Sequence, residues 1–380
     1  MTTLAAPGLS RADTSWLTEW RRTVDWPILV AAMALLAVGL LLSLAAGPPA
    51  APRLGYDAPY ALVVRHSVFA AGALALMVAT SLMDRQMARR AAAILFFGAL
   101  TLMAILLLAG HEAKGAQRWL RIFGFSLQPS EIAKPALMVL IGWLLAQRAA
   151  LPEGPWAAIA FTVYAATLGL LLLQPDVGQA ALLSAAFILA FFVSGLPVRW
   201  AAGFAASGIV LAGSLYAALP HVRQRINSFL DPSAYDTYQI DKAAEALSRG
   251  GLFGAGPGEG TVKRSLPDAH NDFIYAVLGE EFGLLAALIV IALLAFITLR
   301  GLGLAARVDD AYPRTAAAGL FILFGLQALI NIAVNVALIP PKGMTLPFLS
   351  HGGSSFAGIA LTLGLALALV RRQRLGRGWA

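Results

Sequence analysis

Ten apolar runs, each near the length of a bilayer-spanning helix, dominate this 380-residue chain. A hydrocarbon core takes about 20 residues of helix, and within it only helices or closed barrels satisfy their own backbone. The runs cover roughly residues 26–46, 67–83, 91–110, 130–149, 155–173, 177–194, 199–219, 273–299, 314–338 and 355–370. One such run could be a buried helix of a soluble protein. Ten in series define an all-α polytopic membrane protein with ten transmembrane helices. Composition agrees: 59% of residues are hydrophobic, 13% are charged and the mean hydropathy is +0.75, a balance outside that of soluble domains.

The reading divides the chain into an N-terminal tail (1–25), a single membrane domain (26–370) and a basic C-terminal tail (371–380). The first run begins late and is too long for a signal-peptide core, so it reads as a retained span. Short loops rich in Lys and Arg stay in the cytoplasm. With ten spans, both termini fall on one side with Arg85, Arg89, Arg90, Arg148, Arg199, Arg300, Arg307 and Arg314. That side is expected to be cytoplasmic. The net charge of +8 sits in short clusters at span ends rather than on an extended face, so nucleic acid is not an expected partner. No cysteine is present, which removes disulfides, thiolate metal sites and cysteine nucleophiles.

The segment 220–272, between spans 7 and 8, forms a large extracytoplasmic loop in this reading. Asp236-Thr-Tyr-Gln239 resembles a capping box. Ile240, Ala243, Ala244 and Leu247 follow at helical spacing before Gly250-Gly251. They predict an amphipathic helix lying at the outer membrane surface.

Polar motifs stranded among the apolar runs mark the functional end. Ionisable groups at membrane depth are costly and usually functional. Ser130 is expected to cap the fourth span, with Glu131 and Lys134 as i,i+3 neighbours. Asp176, in the turn between spans 5 and 6, reaches the same depth, and Lys134 is its expected partner. Asp268, His270 and Asp272 alternate before span 8. In extended form they would share a face and permit a divalent-cation site. Asp272 also sits at the water–lipid boundary, where it could serve as a general base or as the cap of span 8. Gly254–Gly260 lacks the strand and Lys-Ser/Thr context of a phosphate loop and reads as a flexible loop. Pro340–Pro347 cannot be regular helix, and His351-Gly-Gly-Ser-Ser355 offers amides and hydroxyls suited to an anion.

KGAQRWL, QPSEIAKPAL, QPDVGQ, LPDAHNDFIYAVLGEEFG and KGMTLPFLSHGGSS, in this order, resemble the SEDS proteins (shape, elongation, division and sporulation), the FtsW and RodA group. KG before MTLP, with LPDAH and GEEFG, resembles the division branch of the family more than the elongation branch. The resemblance implies a ten-span fold that polymerises lipid II into peptidoglycan strands at the outer leaflet. It implies catalysis by Asp272 and a central cavity lined by Glu131, Lys134 and Asp176. Lys114, Arg118, His270, Lys342, Ser354 and Ser355 join them as substrate or cavity residues. It also implies lipid II and undecaprenyl-pyrophosphate-linked glycan as substrates; the divalent cation (Mg or Mn) expected on Asp272 and Asp268 comes from their spacing, and no organic cofactor is expected. Expected partners are a class B penicillin-binding transpeptidase, division proteins and membrane lipid. Charge on the leaving group would be met by the cation or by Lys134, Arg223, Arg225 or Lys263. Asn271 and His351 depart from the family's usual Thr and Tyr without removing a carboxylate. Two alternatives from other classes are a lipid II flippase and a non-catalytic division scaffold.

Overall fold

The computed structural model describes residues 15–109, 111–113, 116–122, 125–195, 198–218, 220–231 and 237–371. Every apolar run becomes a helix. These are α2 (Trp26–Ala50), α3 (Ala61–Ser81), α4 (Arg85–Ala109), α5 (Pro129–Ala150), α6 (Trp156–Leu173), α7 (Val177–Val193), α8 (Val198–Ala218), α11 (Ile274–Ala306), α12 (Ala311–Asn335) and α13 (Gly353–Val370). Among the described residues, eight of them are long and apolar enough to cross a membrane, and α7 is a shorter apolar helix.

Among the described residues, three further α-helices lie outside the runs. α1 (Trp16–Thr23) precedes the first span and is pinned to the bundle by Trp20, whose indole N–H donates to Ser81 Oγ at 3.0 Å. α9 (Pro220–Leu230) and α10 (Tyr238–Gly250) occupy the long loop. α10 begins near the expected place, but the expected cap, Asp236, lies outside the described residues, and Thr237 makes no capping bond. The all-helical expectation also missed a small antiparallel sheet between α4 and α5, in the order β1 (His111–Ala113), β2 (Ala116–Ile122) and β3 (Phe125–Leu127). β2 and β3 pair Leu120 with Leu127 and Ile122 with Phe125. Polar and apolar residues do not alternate in Gln117-Arg-Trp-Leu-Arg-Ile122, so the strand carries no period-two signal.

α5, α12 and α13 form the enclosed centre, and α3, α4 and α6 the periphery. Ile94, Phe97 and Leu108 of α4 point away from the bundle, as a lipid-facing surface requires. At the centre the backbones approach closely. A Cβ on Gly142 of α5 would stand 2.5 Å from the Ala316 nitrogen of α12. Small residues allow such contact where lipid supplies no hydrophobic drive for helix association.

The end of the bundle away from the polar motifs is fastened by charge. Arg300 Nε and Nη2 donate to the two carboxylate oxygens of Asp25 at 2.8 and 2.9 Å. Arg85 pairs with Asp310 at 3.5 Å, and Tyr312 donates to the Arg85 carbonyl. Gly142→Val should overpack the α5–α12 contact at a cost of about 1–3 kcal/mol. The reading is a lower thermal midpoint in detergent; an unchanged midpoint would refute the close approach.

Candidate active site

α5, α7, α11 and α13 all present their N-termini at one end of the bundle, and the polar motifs meet there. Gln128 links three of them. Its side-chain amide donates to Asp176 Oδ2 at 2.9 Å, and its backbone N–H donates to Ser354 Oγ at 2.8 Å. Ser354 Oγ in turn donates to the Ser126 carbonyl. Gln128, rather than Ser130, is the residue that precedes α5; Ser130 already lies inside the helix. Proline at the first helical position, Pro129, explains the earlier start, since its missing N–H would be unpaired there anyway.

Glu131 and Lys134 form the expected pair, with Nζ 3.0 Å from Oε1 and both side chains buried. The ammonium also donates to Gln179 Oε1 at 2.6 Å and to Gln327 Oε1 at 3.5 Å, while Gln179 Nε2 returns to Glu131 at 2.8 Å. Asp176 does not pair with Lys134. Its Oδ2 meets Arg118 at 3.1 Å and Gln128, and its Oδ1 accepts the Gln179 N–H as the cap of α7. The strand β2 brings Arg118 over the end of α7, an approach that no spacing in the sequence encodes.

Asp272 sits half-buried just before α11. The residues before it form turns rather than a strand. Asp268 is left-handed (φ 50°), and its carbonyl accepts the N–H of Asn271 at 2.9 Å. The alternation that would have put Asp268, His270 and Asp272 on one face is therefore absent. Among the described residues, no three His, Cys, Asp or Glu side chains gather into a metal-ligating group. Asp268 and Asp272 alone would supply a divalent cation with at most two carboxylates, its remaining ligands coming from substrate and water. Nor does Asp272 cap span 8, since α11 starts after Phe273 without a side-chain cap from its own segment. Asn335 of α12 acts instead, its Oδ1 accepting the Ala276 N–H at 3.0 Å.

α12 holds both halves of the site. Gln327, Asn331 and Asn335, spaced by four, lie on one helical face. Gln327 reaches Lys134 and donates to Thr345; Asn331 donates to the carbonyls of Asp272 at 3.0 Å and Met344 at 2.6 Å; Asn335 donates to the Asp272 carbonyl at 3.0 Å. Sequence reasoning missed all three, although amides recurring every four residues in an apolar span are a readable signal.

The 340–352 segment closes over this face. Ser350 Oγ donates to the Asn271 carbonyl, the His351 N–H to the His270 carbonyl, and Thr345 Oγ1 bonds Ser355 Oγ. At Gly343, which is left-handed (φ 58°), an added Cβ would lie 3.6 Å from Asp272 Oδ2, so Lys342 adjoins the carboxylate's surroundings. His351 stacks beside His66 and lies 6.1 Å, ring to ring, from His270. Burial, then the nearby His66, His270 and Arg65, lower its pKa to about 3. Lys114 lies outside the described residues.

The long loop corrects two further expectations. Gly254–Gly260 is not a free loop, because Glu280 and Glu281 of α11 accept hydrogen bonds from the backbone at Gly258, Gly260, Val262 and Lys263. Lys263 is buried against Glu281 and cannot serve a leaving group. Arg223 is exposed on α9, and the Arg225 side chain lies outside the described residues.

A multi-pass helical membrane protein with a carboxylate-bearing polar site at one end is thus defined. Residues 26–375 match the profile of the FtsW/RodA/SpoVE family, described as "Cell cycle protein". The chain is 47% identical over 373 residues to the probable peptidoglycan glycosyltransferase FtsW of Caulobacter vibrioides, covering 98% of this chain and 96% of that one. It is 36% identical to the protein of the same name from Alkalilimnicola ehrlichii, covering 93% and 89%. Among solved structures, a chain from a peptidoglycan synthase complex that coordinates polymerization and crosslinking superposes with a TM-score of 0.74 at 27% identity, covering 91% and 97%. The rod shape determining protein RodA of Thermus thermophilus gives 0.67 at 27% identity, covering 92% and 98%. The protein belongs to the FtsW/RodA/SpoVE family and is a multi-pass inner-membrane protein.

Asn331→Leu would leave the Met344 carbonyl without its donor, at about 1–3 kcal/mol, while the Asp272 carbonyl keeps Asn335. Thermal unfolding in detergent should show the loss. His351 is held neutral when folded and takes a proton more readily when unfolded. Its contribution to stability is therefore present above about pH 6.5 and lost as pH falls toward about 3. Acidification from pH 7.5 to 5 should lower the melting midpoint, and His351→Tyr should flatten that dependence; an equally steep variant would locate the acid sensitivity elsewhere.

Proposed function

We propose that this protein is a peptidoglycan glycosyltransferase of the FtsW type, polymerising lipid II at the outer face of the inner membrane during septal wall synthesis. The observation that carries this reading is the presentation of Asp272. A half-buried carboxylate is fixed by its own backbone to α12, at the same end as the Glu131–Lys134–Gln179 and Asp176–Arg118 clusters. The family and the relatives named peptidoglycan glycosyltransferase support it.

In the proposed reaction Asp272 accepts the proton of the acceptor sugar's 4-hydroxyl. The freed oxygen attacks the donor's anomeric carbon, and the bond to undecaprenyl pyrophosphate breaks with its electron pair leaving on the phosphate. Developing charge there needs fixed positive partners. Lys134 and Lys263 are buried, whereas Lys342 and Arg118, the latter paired with Asp176, stay partly exposed, so these two take this role, aided by the positive N-terminal ends of α5, α7, α11 and α13. Ser354, Ser355 and His270 line the same end and are assigned to substrate contact. Should a divalent cation take part, Asp272 and Asp268 would need to be joined by substrate oxygens, and no step above requires it.

The arginine-rich opposite end, with Arg85, Arg300 and Arg371, supports a cytoplasmic placement of both termini and an extracytoplasmic site. The likeness to a chain of a peptidoglycan synthase complex supports a class B penicillin-binding transpeptidase as partner, alongside the division proteins.

Loss of a general base costs about 10²–10⁴ in rate. Purified protein with its transpeptidase, given lipid II, should make long glycan strands, and Asp272→Asn should lose them by that factor while still inserting. Wild-type rates from Asp272→Asn would remove it as the base. Absence of strands, with lipid II crossing liposome bilayers, would put a flippase in place of the polymerase.

A further inference from the structure

Glu280 and Glu281 take no part in the chemistry above, yet both are fully buried at the start of α11. Adjacent carboxylates at membrane depth are costly and demand partners. Theirs all come from one short stretch of the long loop. Glu280 accepts the N–H of Val262 at 2.7 Å and of Lys263 at 2.9 Å. Glu281 accepts the N–H of Gly258 and that of Gly260 at 3.1 Å. The buried Lys263 ammonium joins Glu281 Oε1 and the Gly258 carbonyl. The main-chain carbonyls of the same two glutamates receive Ala255 and Gly256 at 2.8 and 3.1 Å. The fit leaves no slack: a Cβ on Gly260 would lie 2.6 Å from Glu281 Oε1.

These bonds close the chain between Lys263 and Glu280 into a loop with a fixed neck. Asp272 lies on its far side, where Asn331 and Asn335 hold its carbonyl. A buried ion pair is seldom the most stable filling for such a place, and an apolar one often serves stability as well or better. What an apolar neck could not do is accept several irregular backbone N–H groups at defined positions and so fix where the loop enters. We infer that Glu280, Glu281 and Lys263 are positioning residues for catalysis, a neck clamp that sets the reach of the Asp272 carboxylate. The inference rests on Asp272 being the base.

The test uses the full chain with its transpeptidase in lipid nanodiscs. Steady-state polymerisation of lipid II is measured together with hydrogen exchange of the 264–273 peptide. Glu280→Gln and Lys263→Gln should lower kcat roughly tenfold to a hundredfold, the scale of an ångström's misplacement, with KM unchanged. Exchange in 264–273 should quicken while that of α5 and α12 stays the same. Lys263→Arg, which keeps the cation, should recover most of kcat. If Glu280→Gln does not accumulate as folded protein, the Lys263 pair of variants decides alone. Unchanged kcat in the Gln variants overturns the clamp, as does faster exchange throughout the bundle with kcat and KM failing together. Asp272→Asn is run in parallel. If it is inactive while the Gln variants keep kcat, only the clamp fails; if it is active, the base assignment has failed.

Discussion

Backbone that is neither helix nor closed sheet must be satisfied by the protein itself at membrane depth, and the site is built around that demand. The 266–273 turns and the 340–352 segment carry carbonyls and N–H groups with no helical partner. α12 answers with Asn331 and Asn335, the two segments answer one another through Ser350 and His351, and Glu280 and Glu281 answer for the loop ahead of them. Each bond that pays a desolvation debt also fixes a functional group. Satisfying the backbone and placing the carboxylate are one arrangement here.

The division of labour along α12 follows. Gln327 belongs to the Glu131–Lys134 cluster, and Asn331 and Asn335 to the Asp272 loop. Since all three stand on one rigid helix, the distance between the buried ion pair and the carboxylate is set by helical rise rather than by loops. A kink at Gly283 (φ 78°) lets the first turns of α11 follow the site while the remainder follows the bundle. The N–H groups freed there are taken by Gly251 and Leu252 carbonyls.

What the sequence disclosed was what is local or what the bilayer imposes along one dimension. Apolar length predicted the helices because a fixed hydrocarbon thickness leaves little choice. The Glu131–Lys134 pair was legible because i,i+3 geometry belongs to the helix alone. The partner of Asp176 was not, since Arg118 arrives on a strand whose folding over α7 is a tertiary fact. Asp268 to Asp272 looked extended by alternation, but a left-handed Asp268 and its turn won once Asn331 and Asn335 offered to hold the carbonyl of Asp272. Gln327, Asn331 and Asn335 stand four apart on one helical face, but neutral amides carry no charge that names their partners, and the backbone carbonyls that Asn331 and Asn335 meet are brought in by tertiary folding.

Four helices ending head-first at one place have an electrostatic consequence. Their dipoles add at one partly buried polar site, where field lines are more confined than at an open surface. Mobile ions attenuate surface charge within a Debye length but reach a partly enclosed site poorly. Attraction for the pyrophosphate of the proposed substrate is thereby written into the backbone itself. It persists through changes of external salt, and side-chain replacement at the mouth can diminish it but not abolish it.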